Sequence, residues 1–393
     1  MAYTLYLKKG EEKRIISGHP WVYANEVLKI EGKDKNGSLC TVRSADGRFI
    51  GRGFINHLSK ILVRIISRNE SEVIDENFFY ETILSAVNYR KKLGYDNSFR
   101  AVFSEADNMP GLVVDKYGDY LSVQIVALSA EINREAIINS LIKIFSPKGI
   151  YERSDSAVIK KEGLSEKTGV IYGEVPENIE ITENGIKMLV DVRNGQKTGY
   201  FLDQKDNRYA VRRYSKDAEV LDCFCNSGGF SMNAAAAGAK SVTACDISNF
   251  ALSQVKRNAE INGFTNVTTL AGDVFEVLRT FKKEKKSFGT VILDPPAFCK
   301  TAAEVKDAYK GYKDINVLGM KIVRPGGFLI TSSCSHYMTL PLFSKMLSEA
   351  AAESGRRVRI AEMKIQGADH PSLINDDESM YLKFFVLNVL YFF

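Results

Sequence analysis

The chain reads as a multidomain protein: a small β-rich module, an α+β middle region and a C-terminal doubly wound α/β sheet. Three observations predict this. At 393 residues it is too long to fill one ordinary core. Its first 70 or so residues carry short apolar runs separated by turn-forming Gly, Asp and Asn. From residue 186 onward, short apolar strands alternate with helical stretches, the pattern of a parallel sheet covered on both faces.

In the first module the apolar runs are Tyr3-Leu7, Leu39-Val42, Phe49-Ile50 and Ile61-Ile66, with turns at Lys35-Asn36-Gly37 and Asp46-Gly47. A small barrel or sandwich is expected over residues 1–72. The middle region, residues 73–185, opens with a helix over Phe78–Leu93. Strands follow at Gly111–Asp115 and Tyr120–Val123, then one helix over Ala130–Phe145, then strands around Ile171 and Lys187–Val192. In residues 186–393, strands at Glu219–Leu221, Ser241–Cys245, Thr290–Leu293 and Phe328–Thr331 alternate with helices at Phe230–Ala237, Asn249–Asn262, Asp307–Ile322 and Leu340–Ala352.

Composition narrows the class. No apolar run approaches a membrane span, and the opening MAYTLYLKKGEEKR is already charged, so a cytoplasmic protein is expected. The six cysteines form no CxxC pair, and His19 and His370, each followed by proline, have no ligand partner at metal-site spacing; neither a disulfide framework nor a metal site is expected. The net charge of +5 sits at the front: residues 1–70 hold 13 Lys and Arg against 7 Asp and Glu, whereas the rest hold 40 against 41. A basic module on a neutral body suits a polyanion such as RNA, although a solvated basic face has the same composition.

In a doubly wound sheet ligands gather where strands end and loops begin. The first such loop is Asp222-Cys223-Phe224-Cys225-Asn226-Ser227-Gly228-Gly229-Phe230, whose glycines permit close backbone approach; the next strand ends in Asp246-Ile247, 17 residues after Gly229. Strand, glycine turn, helix, strand and acid make a nucleoside site, the acid accepting from ribose hydroxyls. The loop is not GxGxxG, which disfavours a pyrophosphate. Gly272-Asp273-Val274 offers an acid to an adenine amino group, and Asp294-Pro295-Pro296-Ala297 presents Asp294 on backbone that two prolines make rigid.

The fifth strand opens into Ser332-Ser333-Cys334-Ser335-His336, which brings Cys334 to the rim beside Asp294. Carbon 5 of cytosine is a poor nucleophile; a thiolate adding at C6 makes it an enamine carbon able to take a methyl group from a sulfonium, with an acid near N3 to stabilise the adduct. Cys334 and Asp294 match those two roles. An inert thiol in the same place would leave the rest of the pattern unexplained. Cys299, the second thiol near Asp294, is open to reading as a product-release helper, a rival nucleophile or a core residue, the last being favoured.

With these residues assembled, the chain resembles, over its whole length, bacterial 23S ribosomal RNA cytosine-C5 methyltransferases that join a PUA domain to a Rossmann-like class I methyltransferase domain. Gly18-His19-Pro20-Trp21-Val22 is similar to the start of their PUA domain, and Ser104-Glu105-Ala106-Asp107 with Pro110-Gly111-Leu112 to their middle domain. Gly195 to Gln204, continued to Arg208, resembles the segment before the catalytic sheet; Ser332 to Ser335 matches the family's SxCS loop, and Asp369-His370-Pro371 with Tyr381-Leu382-Lys383 its C-terminal hairpin. The resemblance implies S-adenosylmethionine as cofactor, held by Tyr200, Phe201, Gln204, Cys225, Asn226, Ser227, Gly228, Gly229, Asp246, Ile247, Asp273, Val274, Asp294 and Pro295. It further implies Cys334 as nucleophile, 23S rRNA as partner and a homodimer. Ala297 departs from the larger or basic residue that often follows DPP in the family. Two alternatives differ in class: methylation of a guanine ring nitrogen, which needs no thiol, and a non-catalytic RNA-binding or ribosome-assembly factor.

Overall fold

The structure is a computed structural model that describes residues 3–32, 35–375 and 379–391. The chain forms two compact units: one comprises residues 1–181, 190–202 and 368–379, the other residues 182–189, 203–367 and 380–393.

The first unit begins with β1 (Tyr3–Leu7), α1 (Glu12–Ile16), β2 (Trp21–Tyr23), β3 (Val27–Glu31), β4 (Leu39–Arg43), β5 (Phe49–Ile55) and β6 (Ile61–Ser67). These six strands form one sheet in the order β2-β6-β5-β4-β1-β3, in which only β1 and β4 pair in parallel. Alternate residues of β1 are buried, Tyr3, Leu5 and Leu7 joining Val22, Val42 and Val63 in one core. β2 and β3 lie outside the expected apolar runs: β2 has three residues, and β3 is mostly exposed, so neither shows a buried alternation in sequence.

The same unit continues with α2 (Glu76–Lys92), β7 (Ser98–Phe103), β8 (Leu112–Tyr117), β9 (Tyr120–Ile125), α3 (Leu128–Ile132), α4 (Arg134–Phe145), β10 (Gly149–Ser154), α5 (Val158–Lys161) and β11 (Lys167–Gly173). The sheet order is β11-β10-β9-β8-β7, with α2 and α4 packed on its core. The single helix expected over Ala130–Phe145 is two, broken at Asn133, whose side-chain amide donates to the Ser129 carbonyl at 2.7 Å and so competes with the helical backbone. A buried ionic centre joins the six-stranded sheet to this one. The Arg64 guanidinium donates to Glu105 at 2.7 Å and to Glu162 at 2.8 Å; Trp21 Nε1 also donates to Glu105 at 2.8 Å, and Asn56 Nδ2 to Glu162 at 3.1 Å. A hairpin of β12 (Ile179–Glu183) and β13 (Ile186–Val190), whose residues 182–189 belong to the second unit, turns at Asn184 and Gly185, both left-handed.

The second unit holds α6 (Lys205–Ala210), α7 (Arg212–Ser215), β14 (Glu219–Cys223), α8 (Gly229–Ala236), β15 (Ser241–Asp246), α9 (Asn249–Ile261), β16 (Val267–Ala271), α10 (Val274–Lys283), β17 (Phe288–Leu293), α11 (Val305–Ile322), β18 (Val323–Ser333), α12 (Leu340–Ser354), β19 (Arg356–Lys364) and β20 (Lys383–Tyr391). The strands lie in the order β16-β15-β14-β17-β18-β20-β19; all run parallel except β20, which is antiparallel to both neighbours. The expected doubly wound sheet is therefore present, extended by β19 and β20. Strand alternation assigns residues to two faces. Leu221, Val291, Leu293, Leu329 and Phe385 pack with α10, α11 and α12, whereas Val220, Ile292, Ile330, Phe384 and Val386 pack with α7 and α8. The order reverses between β14 and β17, which places a crevice at the carboxyl ends of these strands. Among the described residues no helix is long and apolar enough to cross a membrane.

Candidate active site

The loop after β14 is held in an uncommon backbone conformation. Phe224, Asn226 and Gly228 all have positive φ, at 62°, 49° and 84°. Such strain persists only where neighbours fix it, and here they do. Cys225 N–H donates to the Cys245 carbonyl at 3.1 Å and Asn226 N–H to Asp246 Oδ2 at 3.0 Å; Asn258 Nδ2 donates to the Ser227 carbonyl at 2.9 Å. At Gly228 an added Cβ would stand 3.0 Å from Val255 Cγ2 in a left-handed conformation, so the turn needs glycine. Gly229 then starts α8.

Asp246 ends β15 partly exposed, with Oδ1 accepting from Ser248 N–H at 2.9 Å. Each of its oxygens thus takes one backbone donor and keeps lone-pair capacity for a ligand hydroxyl. Ile247 beside it is 73% exposed. Asp273 is exposed and caps α10, accepting from Glu276 N–H at 3.2 Å, while the Val274 side chain packs into the core.

Asp294 follows β17 at the rim. Gln204 Nε2 donates to its Oδ1 at 2.8 Å, and Ser332 Oγ donates to the same oxygen. Among the described residues nothing donates to Oδ2. Loss of water pushes the Asp294 carboxyl up to about 6, with nearby Asp203 adding to the shift and the Ser332 bond, Arg208 and Gln204 opposing it. Although its edge reaches solvent, the protein on all other sides sets its protonation. Gln204 is itself aligned by Asn207 Nδ2, which donates to its Oε1 at 2.7 Å, and Arg208 is locked by two bonds to Glu183 at 2.6 and 2.7 Å. Beneath the loop, Asp222 accepts from Ser231 Oγ at 2.6 Å; burial raises its carboxyl to about 7.

Cys334 stands half-buried just beyond the end of β18, while the other five cysteines are buried. Ser332 links β18 to Asp294, and Ser335 Oγ pairs with the Tyr312 hydroxyl at 2.9 Å. Across the sheet, Lys383 Nζ donates to the carbonyls of Ser335 and Tyr381, each at 2.7 Å, and burial lowers its ammonium to about 8. Cys299 is core, as expected, with its N–H donating to Ser335 Oγ at 3.4 Å.

The second unit thus gathers Gln204, the 225–229 loop, Asp246, Ile247, Asp273, Val274, Asp294, Pro295 and Cys334 on the loops at one end of its sheet. Tyr200 and Phe201 belong to the first unit: Tyr200 is buried with its carbonyl accepting from the Tyr117 hydroxyl at 3.3 Å, and Lys197 Nζ stands 4.8 Å from the Phe201 ring centroid. Sequence reasoning gave no role to Ser332, Asp222 or Lys383. For Lys383 a signal exists, a lysine heading the apolar run Phe384-Phe385-Val386-Leu387.

Residues 5–68 match a PUA-like domain family, and residues 160–371, more than half the chain, match the S-adenosylmethionine-dependent methyltransferase family. The protein named ribosomal RNA large subunit methyltransferase I in Aeromonas salmonicida is 41% identical over 390 residues, 98% of each chain. The chain belongs to the ribosomal RNA large subunit methyltransferase I family. The family member of that name from Klebsiella pneumoniae strain MGH 78578 is 39% identical over 98% of each chain, and that from Vibrio cholerae is 40% identical over 99% of this chain and all of its own. Among solved structures, a SAM-dependent methyltransferase from Streptococcus mutans superposes with a TM-score of 0.83 over 99% of this chain and all of its own at 22% identity; SMU.776, a methyltransferase complexed with SAH, gives 0.84 at the same identity and coverage. At that identity they speak for the fold.

The family is S-adenosylmethionine-dependent, and the residues fit that cofactor. The tight turn at Gly228 admits close backbone approach, Asp246 holds acceptor capacity at the rim, and the loop has no pyrophosphate fingerprint.

Proposed function

We propose that this family member forms 5-methylcytidine in 23S rRNA through a covalent bond between Cys334 and C6 of the target cytosine. The observation that carries the reading is the placement of Cys334 immediately beyond the Ser332–Asp294 link that ties β18 to β17, at the rim where Asp246 and the Gly228 turn stand. Its relatives' name supports large-subunit rRNA as the partner, and the PUA-like module with its basic excess supports RNA contact.

In this reading Gln204, the 225–229 loop, Asp246, Ile247, Asp273, Val274, Asp294 and Pro295 hold the cofactor, and the family resemblance adds Tyr200 and Phe201 to its contacts. S-adenosylmethionine supplies an electrophilic methyl group on sulfur. The chain's own residues prepare the acceptor. The base must leave its stack to reach the rim. The Cys334 thiolate bonds to C6; the displaced C5–C6 electrons are accommodated toward N3, which takes a proton from the protonated fraction of Asp294, whose carboxyl is raised to about 6. C5 is then nucleophilic enough to be methylated. A base takes the C5 proton, which restores the C5–C6 double bond as the C6–S bond breaks and the thiolate is released, and N3 returns its proton to Asp294.

The test is mass spectrometry of nucleosides from rRNA incubated with the protein and isotopically labelled S-adenosylmethionine. Label in 5-methylcytidine is expected; label in a methylguanosine would move the chemistry to a ring nitrogen and remove Cys334 from it. Cys334→Ala should bind S-adenosylmethionine normally yet lose at least about a thousandfold in turnover, whereas Cys299→Ala should retain it.

A further inference from the structure

Lysine is among the residues least often buried, and when it is buried a carboxylate ordinarily accompanies it. Lys383 is 5% exposed, and among the described residues no carboxylate lies within ion-pair distance of its ammonium. It opens β20 directly opposite Ser333 in antiparallel register, so it faces the strand end from which Cys334 projects. Two of its three protons go to backbone carbonyls, that of Ser335, which follows Cys334, and that of Tyr381. The third is committed to no described oxygen. Folding a chain around an unpaired ammonium is costly unless a counter-charge forms there.

Among the described groups around this point, two thiols, Cys334 and Cys299, bear on that counter-charge. From α11, Tyr312 holds a phenol raised to about 12 by burial, and it is neutral. Cys299 acts on Lys383 in the same direction as Cys334 but less strongly, and it is buried in the core, whereas Cys334 is half-buried at the rim and precedes the Ser335 carbonyl that Lys383 holds. His336 is exposed, and the Tyr381 hydroxyl donates to Asp203 at 2.7 Å. Asp294, on the neighbouring strand, is engaged by Gln204 and Ser332. Cys334 remains. Burial is the largest influence on Lys383 and lowers it; the charge of the Cys334 thiolate, ahead of that of Cys299, acts in the direction that keeps the ammonium protonated.

We propose that Lys383 is a positioning residue whose buried ammonium holds Cys334 as a thiolate and fixes the loop that carries it. The purpose assigned to that thiolate rests on the reading of Cys334 as nucleophile; the charge pair itself does not. A thiolate, not a thiol, adds to the ring, so the pair sets the fraction of enzyme ready to react. Two carbonyl bonds aim the ammonium, so the charge stays in place when RNA arrives.

Alkylation of Cys334 by iodoacetamide, followed by peptide mass spectrometry on the full chain without cofactor or RNA, reads the thiolate fraction against pH. The wild-type midpoint is expected at least about one pH unit below the ordinary thiol value of about 8.5. Lys383→Met should raise the midpoint by one unit or more, slowing alkylation at pH 7 about tenfold, while Lys383→Arg should keep it near wild type. A role confined to loop structure would slow alkylation at every pH without moving the midpoint. A wild-type midpoint at or above about 8.5 overturns the proposal without any variant, as does a Met variant with the wild-type profile. Should Cys334→Ala still yield 5-methylcytidine while the wild-type profile is shifted, the nucleophile reading falls and the charge pair stands; loss of turnover in Cys334→Ala with an unshifted profile is the reverse.

Discussion

Ser332→Ala isolates the control of Asp294. The wild-type carboxyl sits at about 6 because burial, reinforced by Asp203, outweighs the Ser332 and Gln204 hydrogen bonds and the Arg208 charge. Both donors reach Oδ1, and a hydrogen bond to an ionised group is worth about 1.5–3 kcal/mol, which corresponds to roughly one to two pH units. Because Asp294 keeps a wet edge, the lower end applies, and removal of the hydroxyl should move the carboxyl from about 6 to about 7. At pH 7.5 the protonated fraction would then rise about eightfold. Linkage fixes the sign for stability. Asp294 binds its proton more tightly folded than unfolded, so stability falls as pH climbs from the unfolded value near 4 to the folded value and is level above it; Ser332→Ala should extend that falling window upward by about one unit. The assay is the 13C carboxyl resonance of Asp294 followed through pH 4–9. An unchanged or lowered midpoint would refute the view that Ser332 stabilises the ionised form.

The same linkage applies to Asp222, buried at about 7: urea denaturation should show wild-type stability declining between about pH 4 and 7, and Asp222→Asn should flatten that decline, whereas a slope equal to wild type would count against a neutral carboxyl there. Gly228→Ala forces a Cβ into a left-handed turn 3.0 Å from Val255; it should cost about 1–2 kcal/mol and weaken S-adenosylmethionine binding by calorimetry, and unchanged affinity would show that the cofactor does not use the turn. Glu162→Gln strips one anion from Arg64 in the first unit and should destabilise it by about 2–4 kcal/mol in thermal unfolding, less than full removal because Glu105 remains; a change within about 0.5 kcal/mol would mean that the network is energetically idle.

Much of this was legible in the sequence because it depended on local pattern. The parallel strands β14, β15, β17 and β18 are apolar, short and separated by helices, and each ends in a residue that a ligand-binding rim requires: the glycine turn, Asp246, Asp294 and the Cys334 loop. The departures have physical causes. β19 is an edge strand whose outward residues stay exposed, Ile360 at 64% and Met363 at 54%, so it lacks an apolar signature, and β20 is antiparallel, without the crossover helix that announces a parallel strand. Asp273 read as a ligand acid and is also a helix cap, two roles that leave the same mark in sequence. Ser332 and Gln204 meet Asp294 from 38 and 90 residues away, and no periodicity encodes such a meeting.

The alternation of strand residues also divides the chemistry between the faces of the sheet. Asp222, Asp294 and Ser332 share the parity of Val220, Ile292 and Ile330, on the face packed by α7 and α8; Lys383 and its partner Ser333 share that of Phe385 and Leu329, on the face packed by α10, α11 and α12. The carboxylates therefore reach the rim from one side and the buried ammonium from the other, with Cys334 beyond the strand end between them. That separation has an electrostatic consequence. At close range an aspartate would disfavour a thiolate as strongly as a lysine favours it, and with its carboxyl at about 6 Asp294 is mostly ionised at neutral pH. In the proposed mechanism, Lys383 on the opposite face would let a thiolate persist beside a largely ionised Asp294, while the raised Asp294 value would keep a minor protonated fraction available for proton transfer.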